Sequence, residues 1–145
     1  INASPLVFLG NAGRLELLRA VGANRIIVPN AVFEEVVSSK HCDRASTEVK
    51  NASWLERASA ASIPAAITAW DLGAGESEVI ALGLATPHAR LVIDDLAGRK
   101  CGLALGLNVV GTLGVVIAAI EEASFVIQSS SLPSFERAEC GSQTQ

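Results

Sequence analysis

Two kinds of apolar pattern take turns along this chain. Residues 26–28 (Ile-Ile-Val), 91–93 (Leu-Val-Ile) and 108–110 (Asn-Val-Val) are short, mostly β-branched runs, which predicts buried strands. Ile1-Asn2 reads as the end of a further strand, Trp54-Leu55 as a short one, and residues 125–127 (Phe-Val-Ile) as a last one. Between them, apolar residues recur at helical spacing. Ser4-Pro5 reads as an N-cap and first-turn proline opening a short helix. Leu15, Leu17 and Leu18 predict a helix over 14–20, stopped near Gly22 after punctuation at 10–13. Asn30 can cap a helix that buries Ala31, Val32, Val36 and Val37. Further helices are predicted over 76–85, 97–105 and 113–123. Residues 38–52 fit a solvated helix or a loop, and the alanine-rich stretch 58–69 carries no clear period.

Strands alternating with helices imply a mainly parallel central sheet with helices on both faces, a three-layer α/β/α fold. The 145 residues suit one domain, expected over 1–128, with a polar, Ser-rich tail over 129–145 expected to be partly disordered. Half the residues are apolar, so a sizeable core can form. Only 4% are aromatic and none is Tyr, which argues against stacking bases on several rings. The net charge of −4 argues against coating nucleic acid non-specifically, but not against reaching it through a metal ion.

Cys42, Cys101 and Cys140 form no C-x-x-C pair, so neither a zinc knuckle nor a disulfide framework is indicated. His41, beside Cys42, and His88 read as surface residues without catalytic partners. The apolar stretch 103–120 is too broken by glycines and Asn108 to span a membrane, and no signal peptide is visible. Reduced cysteines without leader or span suit a cytoplasmic protein. With no Met and Ile at position 1, a few preceding residues are expected.

Ligands of open parallel sheets bind beyond the carboxyl ends of the strands. The polar residues falling there are Asn2 and Ser4, Glu34 and Glu35, Glu76 and Glu78, and Asp94 and Asp95. Carboxylates gathered without His or Cys suit a hard cation such as Mg²⁺ or Mn²⁺, which can activate water and neutralise phosphate oxygens. Each has a plainer reading. Glu76 and Glu78 sit at a helix start, where the dipole alone favours acids. One of Asp94 and Asp95 can cap the next helix. Of Glu34 and Glu35 one is a solvated acid, and Glu35 shares a helix side with Val32 and Val36. Arg99 can pair with Asp95 or touch a substrate phosphate. The run Gly111-Thr112-Leu113-Gly114 is a turn with a cap, or a backbone loop facing phosphate.

The ordered series Asn2-Ala3-Ser4-Pro5-Leu6, residues 13–18, residues 28–36, residues 75–82, residues 93–99 and residues 111–114 resembles the PIN-domain family, in particular the PIN-like relatives of VapC-type toxins. The resemblance implies an α/β/α magnesium-dependent ribonuclease with a quartet of metal-binding positions. Carried over, these fall on Asn2, Glu35, Glu78 (less readily Glu76) and Asp95, with Glu35, Glu78 and Asp95 catalytic. Ser4, Glu76, Asp94, Arg99 and Thr112 are secondary candidates. Asn2 stands where many members have Asp. The implied cofactor is Mg²⁺ or Mn²⁺, and the implied partners are an RNA substrate, an antitoxin protein and a second copy of the chain. RNA contact is expected from Arg14, Arg99 and Lys100. A PIN-like protein that acts by binding, with a weakened first ligand, is the main rival. A phosphoryl-transfer domain is a weaker one, because Asn2 stands where a nucleophilic Asp would be needed.

Overall fold

A computed structural model describes residues 1–21, 25–38 and 43–130. The expectations placed on Gly22, His41, Cys42, Cys140 and the tail beyond residue 130 lie outside the described residues. In chain order the elements are α1 (Ala3–Ala12), a 3₁₀ helix (Leu15–Val21), β1 (Ile26–Pro29), α2 (Asn30–Ser38), α3 (Arg44–Asn51) and β2 (Leu55–Ala58). They continue with α4 (Ala65–Thr68), α5 (Ala74–Ala85), β3 (Arg90–Val92), α6 (Leu96–Ala104), β4 (Asn108–Val110) and α7 (Thr112–Ser130).

The strands are parallel, as expected, but they form two pairs. β1 pairs β2 with Ile26 opposite Leu55, and β3 pairs β4 with Arg90 opposite Asn108. Ile1 and Asn2 lie between the pairs: the Ile1 nitrogen donates to Ile27 O at 3.0 Å and Asn2 N–H donates to Val92 O at 3.0 Å. Two residues thus hold the pairs together, and the carboxyl ends of β1 and β3 come to one edge beside Asn2. Leu6, Leu9, Leu18, Val28, Val32, Ile67, Ile80, Ile93 and Val115 fill the core completely buried. α5 packs on β1, β3, α2 and α6, so one helix touches both strand pairs.

Several expectations need correction. The cap of α1 is Asn2, not Ser4, which lies exposed in the first turn. That helix ends at Gly13, whose φ of +64° is a left-handed conformation that glycine adopts without steric penalty. The leucine-rich segment at 14–20 forms a 3₁₀ helix, Leu15–Val21. Polar residues 44–51 are helical because the Asp43 carboxylate accepts from Ser46 N–H at 2.9 Å and only Ala45, Ser46 and Val49 need burial. The strand expected at 125–127 is instead the last part of α7, since no glycine or proline interrupts residues 115–130 and a β-branched run yields to an established helix. α7 therefore runs past residue 128. No helix among the described residues is long and apolar enough to cross a membrane.

Candidate active site

Asn2 is buried at the sheet edge, and its side chain does not cap α1. Its Nδ2 donates instead to Glu76 Oε1 at 3.4 Å. Glu76 sits in the first turn of α5, where its other oxygen accepts from Gly73 N–H at 3.4 Å. Burial raises the Glu76 pKa, and the nearby Asp95 carboxylate raises it further, with Glu35 a smaller contributor. These interactions bring four elements together: the entry to α1, α2, α5 and the cap of α6.

Gly75 forms the floor between them. A Cβ there would stand 3.3 Å from Glu35 Oε2 and 3.6 Å from Asn2 Oδ1, so the missing side chain keeps the space open. α6 closes the same space from the other side, since a Cβ on Gly98 would lie 3.6 Å from Glu76 Oε1. Asp95 caps α6, its Oδ1 accepting from Ala97 N–H at 2.7 Å and Gly98 N–H at 3.1 Å. Glu35 is exposed and makes no hydrogen bond or ion pair among the described residues, while Val32 and Val36 on the same helix are buried. Glu34 is the surface acid, paired with Arg57 at 3.0 Å.

Glu78 is placed differently from its expected role. Its Oε2 accepts from Ala31 N–H at 2.9 Å and its Oε1 from Ala60 N–H at 3.1 Å. Both oxygens are thus engaged by backbone amides, one at the start of α2, where the helix dipole favours an anion. Two residues along a helix turn a side chain about 200° around the axis, so Glu76 and Glu78 leave α5 on different sides. The structure brings Glu76 to Asn2 and Asp95, and sets Glu78 to tie α5, α2 and the end of β2 together.

Asp94 is also spoken for. Its Oδ1 accepts from Thr112 N–H at 2.7 Å and its Oδ2 from the buried Thr112 hydroxyl at 2.5 Å. That clamp fixes the start of α7 to the end of β3 and takes the Thr112 amide away from any phosphate. The Arg99–Asp95 ion pair is absent among the described residues; Arg99 extends over Gly111 instead. Arg14 faces Glu16 at 3.9 Å. His88 is exposed.

A cavity of about 350 Å³, lined by Arg25, Ile26, Arg90 and Asn108 among others, lies at the amino ends of the strands, away from these acids. Of the acids, Glu35 and Asp95 are exposed and Glu76 is half-buried. Together with Asn2 they offer carboxylate and amide oxygens only, the chemistry of a hard divalent cation. Among the described residues no three His, Cys, Asp or Glu side chains close into one group around a point. The donor types match such an ion, but their spacing in this structure does not gather them around one point; only Glu35 Oε2 and Asn2 Oδ1 border the space above Gly75.

Sequence reasoning missed the Asn2–Glu76 contact, the role of Gly75 as a floor and the Asp94–Thr112 clamp. The signal for the first lay in the Gly73 and Gly75 punctuation, which places Glu76 in the opening turn of α5. A family model described as a PIN domain matches residues 1–134. No curated protein and no solved structure matches the chain.

Proposed function

The chain belongs to the PIN-domain family, whose members are generally nucleases, and from that premise we propose that it is a metal-dependent endoribonuclease hydrolysing RNA phosphodiester bonds. The observation that carries the reading is the gathering of Asn2, Glu35, Glu76 and Asp95 from four elements at the carboxyl edge of the strands. Glu35, Glu76 and Asp95 would hold Mg²⁺ or Mn²⁺, with Asn2 Oδ1 facing the same space. When bound, the cation supplies Lewis acidity for water attack and offsets the negative charge of the phosphate.

The protein's own residues prepare that space. Asn2 donates to Glu76 and so fixes the orientation of its carboxylate. A neutral amide at this position also spares the cluster a fourth negative charge. Asp95 is held by two helix amides, both on Oδ1, and its Oδ2 accepts no hydrogen bond among the described residues. Glu35 reaches the site from α2 with its carboxylate uncommitted. Ser4 lies exposed beside Asn2 and could meet the substrate strand from the α1 side.

The test is cleavage of mixed-sequence single-stranded RNA by the full chain, with Mg²⁺ or Mn²⁺ and after chelation. Cleavage that chelator abolishes and metal restores supports the reading. No cleavage with either ion, together with no heat of Mn²⁺ binding by calorimetry, overturns it and favours a PIN-like protein that acts by binding.

The cellular role we propose is the toxin of a toxin–antitoxin pair. Support for a protein partner comes from α7, where Leu113, Ile117 and Ile120 form an exposed apolar row, with Phe125 and Ile127 exposed beyond it. An antitoxin protein or a second copy of the chain would cover such a row. Sedimentation of the purified protein separates a dimer from a monomer awaiting a different partner.

A further inference from the structure

Arg99 pairs with no acid among the described residues. Among the described residues Arg14 faces Glu16, Arg25 pairs with Glu56, Arg44 with Glu48 and Arg57 with Glu34. Arg19 lies over the Trp54 ring. The Arg99 side chain makes no hydrogen bond, ion pair or ring contact among them, although Asp94 Oδ1 lies close to it beside Gly111 and Asp95 is one turn back on its helix. The reason is that both acids are engaged elsewhere. Asp94 gives one oxygen to each donor of Thr112, and Asp95 turns inward to cap its own helix.

The guanidinium lies over Gly111: a Cβ there would stand 2.6 Å from Arg99 Nη1 and 3.0 Å from Asp94 Oδ1, so the missing side chain leaves Arg99 room at the end of β4. Arg99 is half-buried, and its amide belongs to the first turn of α6, donating to Asp95 O at 3.0 Å. Its neighbour Gly98 faces Glu76. The free cation therefore sits one helical turn from the carboxylate rim.

We infer that Arg99 is a substrate-phosphate contact, which receives a phosphate of the RNA strand flanking the one at the acid rim. The inference rests on the nuclease reading for what the rim does, and adds which group draws the strand to it. A chain of net charge −4 repels a polyanion, and a rim of three carboxylates repels it most strongly. A guanidinium left unpaired next to that rim offers two N–H groups in the planar fork that matches phosphate oxygens. Lysine would keep the charge but not the fork.

The test is the salt dependence of RNA binding by the full chain, read by fluorescence anisotropy with a labelled single-stranded RNA and chelator present, so that binding is measured apart from cleavage. Arg99→Gln should weaken binding about tenfold at low salt. It should also flatten the slope of log K against log salt by about 0.7, the value of one phosphate contact on a single strand. Arg99→Lys should restore the slope and only part of the affinity. Arg25→Gln, which removes one positive charge at the opposite edge, should leave the slope unchanged. In cleavage assays Arg99→Gln should raise KM about tenfold with kcat nearly unchanged.

Thermal melts confirm that each variant is folded, and Arg99→Ala, with the same expected flattening, carries the slope comparison if Arg99→Gln does not fold. An unchanged slope in Arg99→Gln overturns the inference while leaving the nuclease reading intact. An equal loss in Arg25→Gln assigns the effect to net charge and overturns it as well. If the wild-type chain binds RNA but never cleaves it, the nuclease reading falls and the slope still decides Arg99. A wild-type chain that binds no RNA overturns both.

Discussion

Exchanging each α5 acid for its amide should move stability in opposite directions. Glu78 accepts two backbone N–H groups at 2.9 and 3.1 Å and is half-buried between α5, α2 and the loop after β2. In Glu78→Gln one amide N–H meets the new side-chain NH₂ and loses its partner, and the other keeps only a neutral acceptor. A hydrogen bond to a charged group contributes about 1.5–3 kcal/mol and one between neutral groups about 0.5–1.5. Losing the first and weakening the second should cost about 2–3 kcal/mol. With a urea slope of about 2 kcal/mol/M, the unfolding midpoint should drop by about 1–1.5 M. Cleavage measured well below that midpoint should stay near wild type. Glu76→Gln removes a charge that burial and Asp95 both disfavour, so the metal-free midpoint should rise. Its cleavage should fall about 100-fold or more, the scale of losing one charge-stabilising group at a reacting centre. Urea titrations followed by circular dichroism, paired with RNA cleavage on the same preparations, make the comparison. If Glu78→Gln kept its midpoint and lost cleavage, Glu78 would be the site acid and the assignment to Glu76 would be wrong.

The raised Glu76 pKa also sets a pH dependence. The folded state holds this proton more readily than the unfolded chain, so the contribution is fully present below the ordinary carboxylate pKa and is lost as pH rises through the elevated folded value. Urea midpoints of the metal-free protein should therefore fall across that window as pH increases, and Glu76→Gln should flatten the fall. Asp94→Ala leaves the Thr112 amide and hydroxyl without partners, and should cost about 2–4 kcal/mol in the same urea assay. Thr112→Val should cost less, and the double variant about as much as Asp94→Ala alone. Gly75→Ala places a methyl group 3.0 Å from Val32 Cγ2 and 3.3 Å from Glu35 Oε2. It should lower cleavage about tenfold or more while shifting stability by no more than about 1–3 kcal/mol, as read by RNA cleavage and thermal melts.

Strands and helices were legible where the sequence carries its own punctuation. Pro29 ends β1 and Asn30 opens α2, so their boundaries follow from local chemistry. The same holds for β3, whose apolar run stops at Asp94-Asp95. Residues 125–127 misled because Phe-Val-Ile looks alike in a strand and in a helix, and only the unbroken run from Thr112 decides. The split of the sheet into two pairs was beyond local reading. It depends on where Ile1 and Asn2 hydrogen-bond, and a sequence does not show which carbonyls, Ile27 and Val92, will receive them.

The candidate site divides along the same line. Acids at the carboxyl edge followed from topology alone, because α/β connections deliver loop residues there. Choosing between acids two residues apart did not, since each has a plausible partner within reach of its helix. What decides is which buried donors lack acceptors. Ala31 and Ala60 have N–H groups at one side of α5, and a carboxylate must answer them or leave them unpaired. Glu78 faces that side and Glu76 the other. Glu78 answers that demand, while Glu76 lies against Asn2 and near Asp95, which is why we place Glu76 rather than Glu78 at the proposed site. Glu35 makes no side-chain hydrogen bond among the described residues, whereas Glu76 answers Asn2 and the Gly73 amide at a raised pKa that burial and Asp95 impose, so its charge is held against a cost.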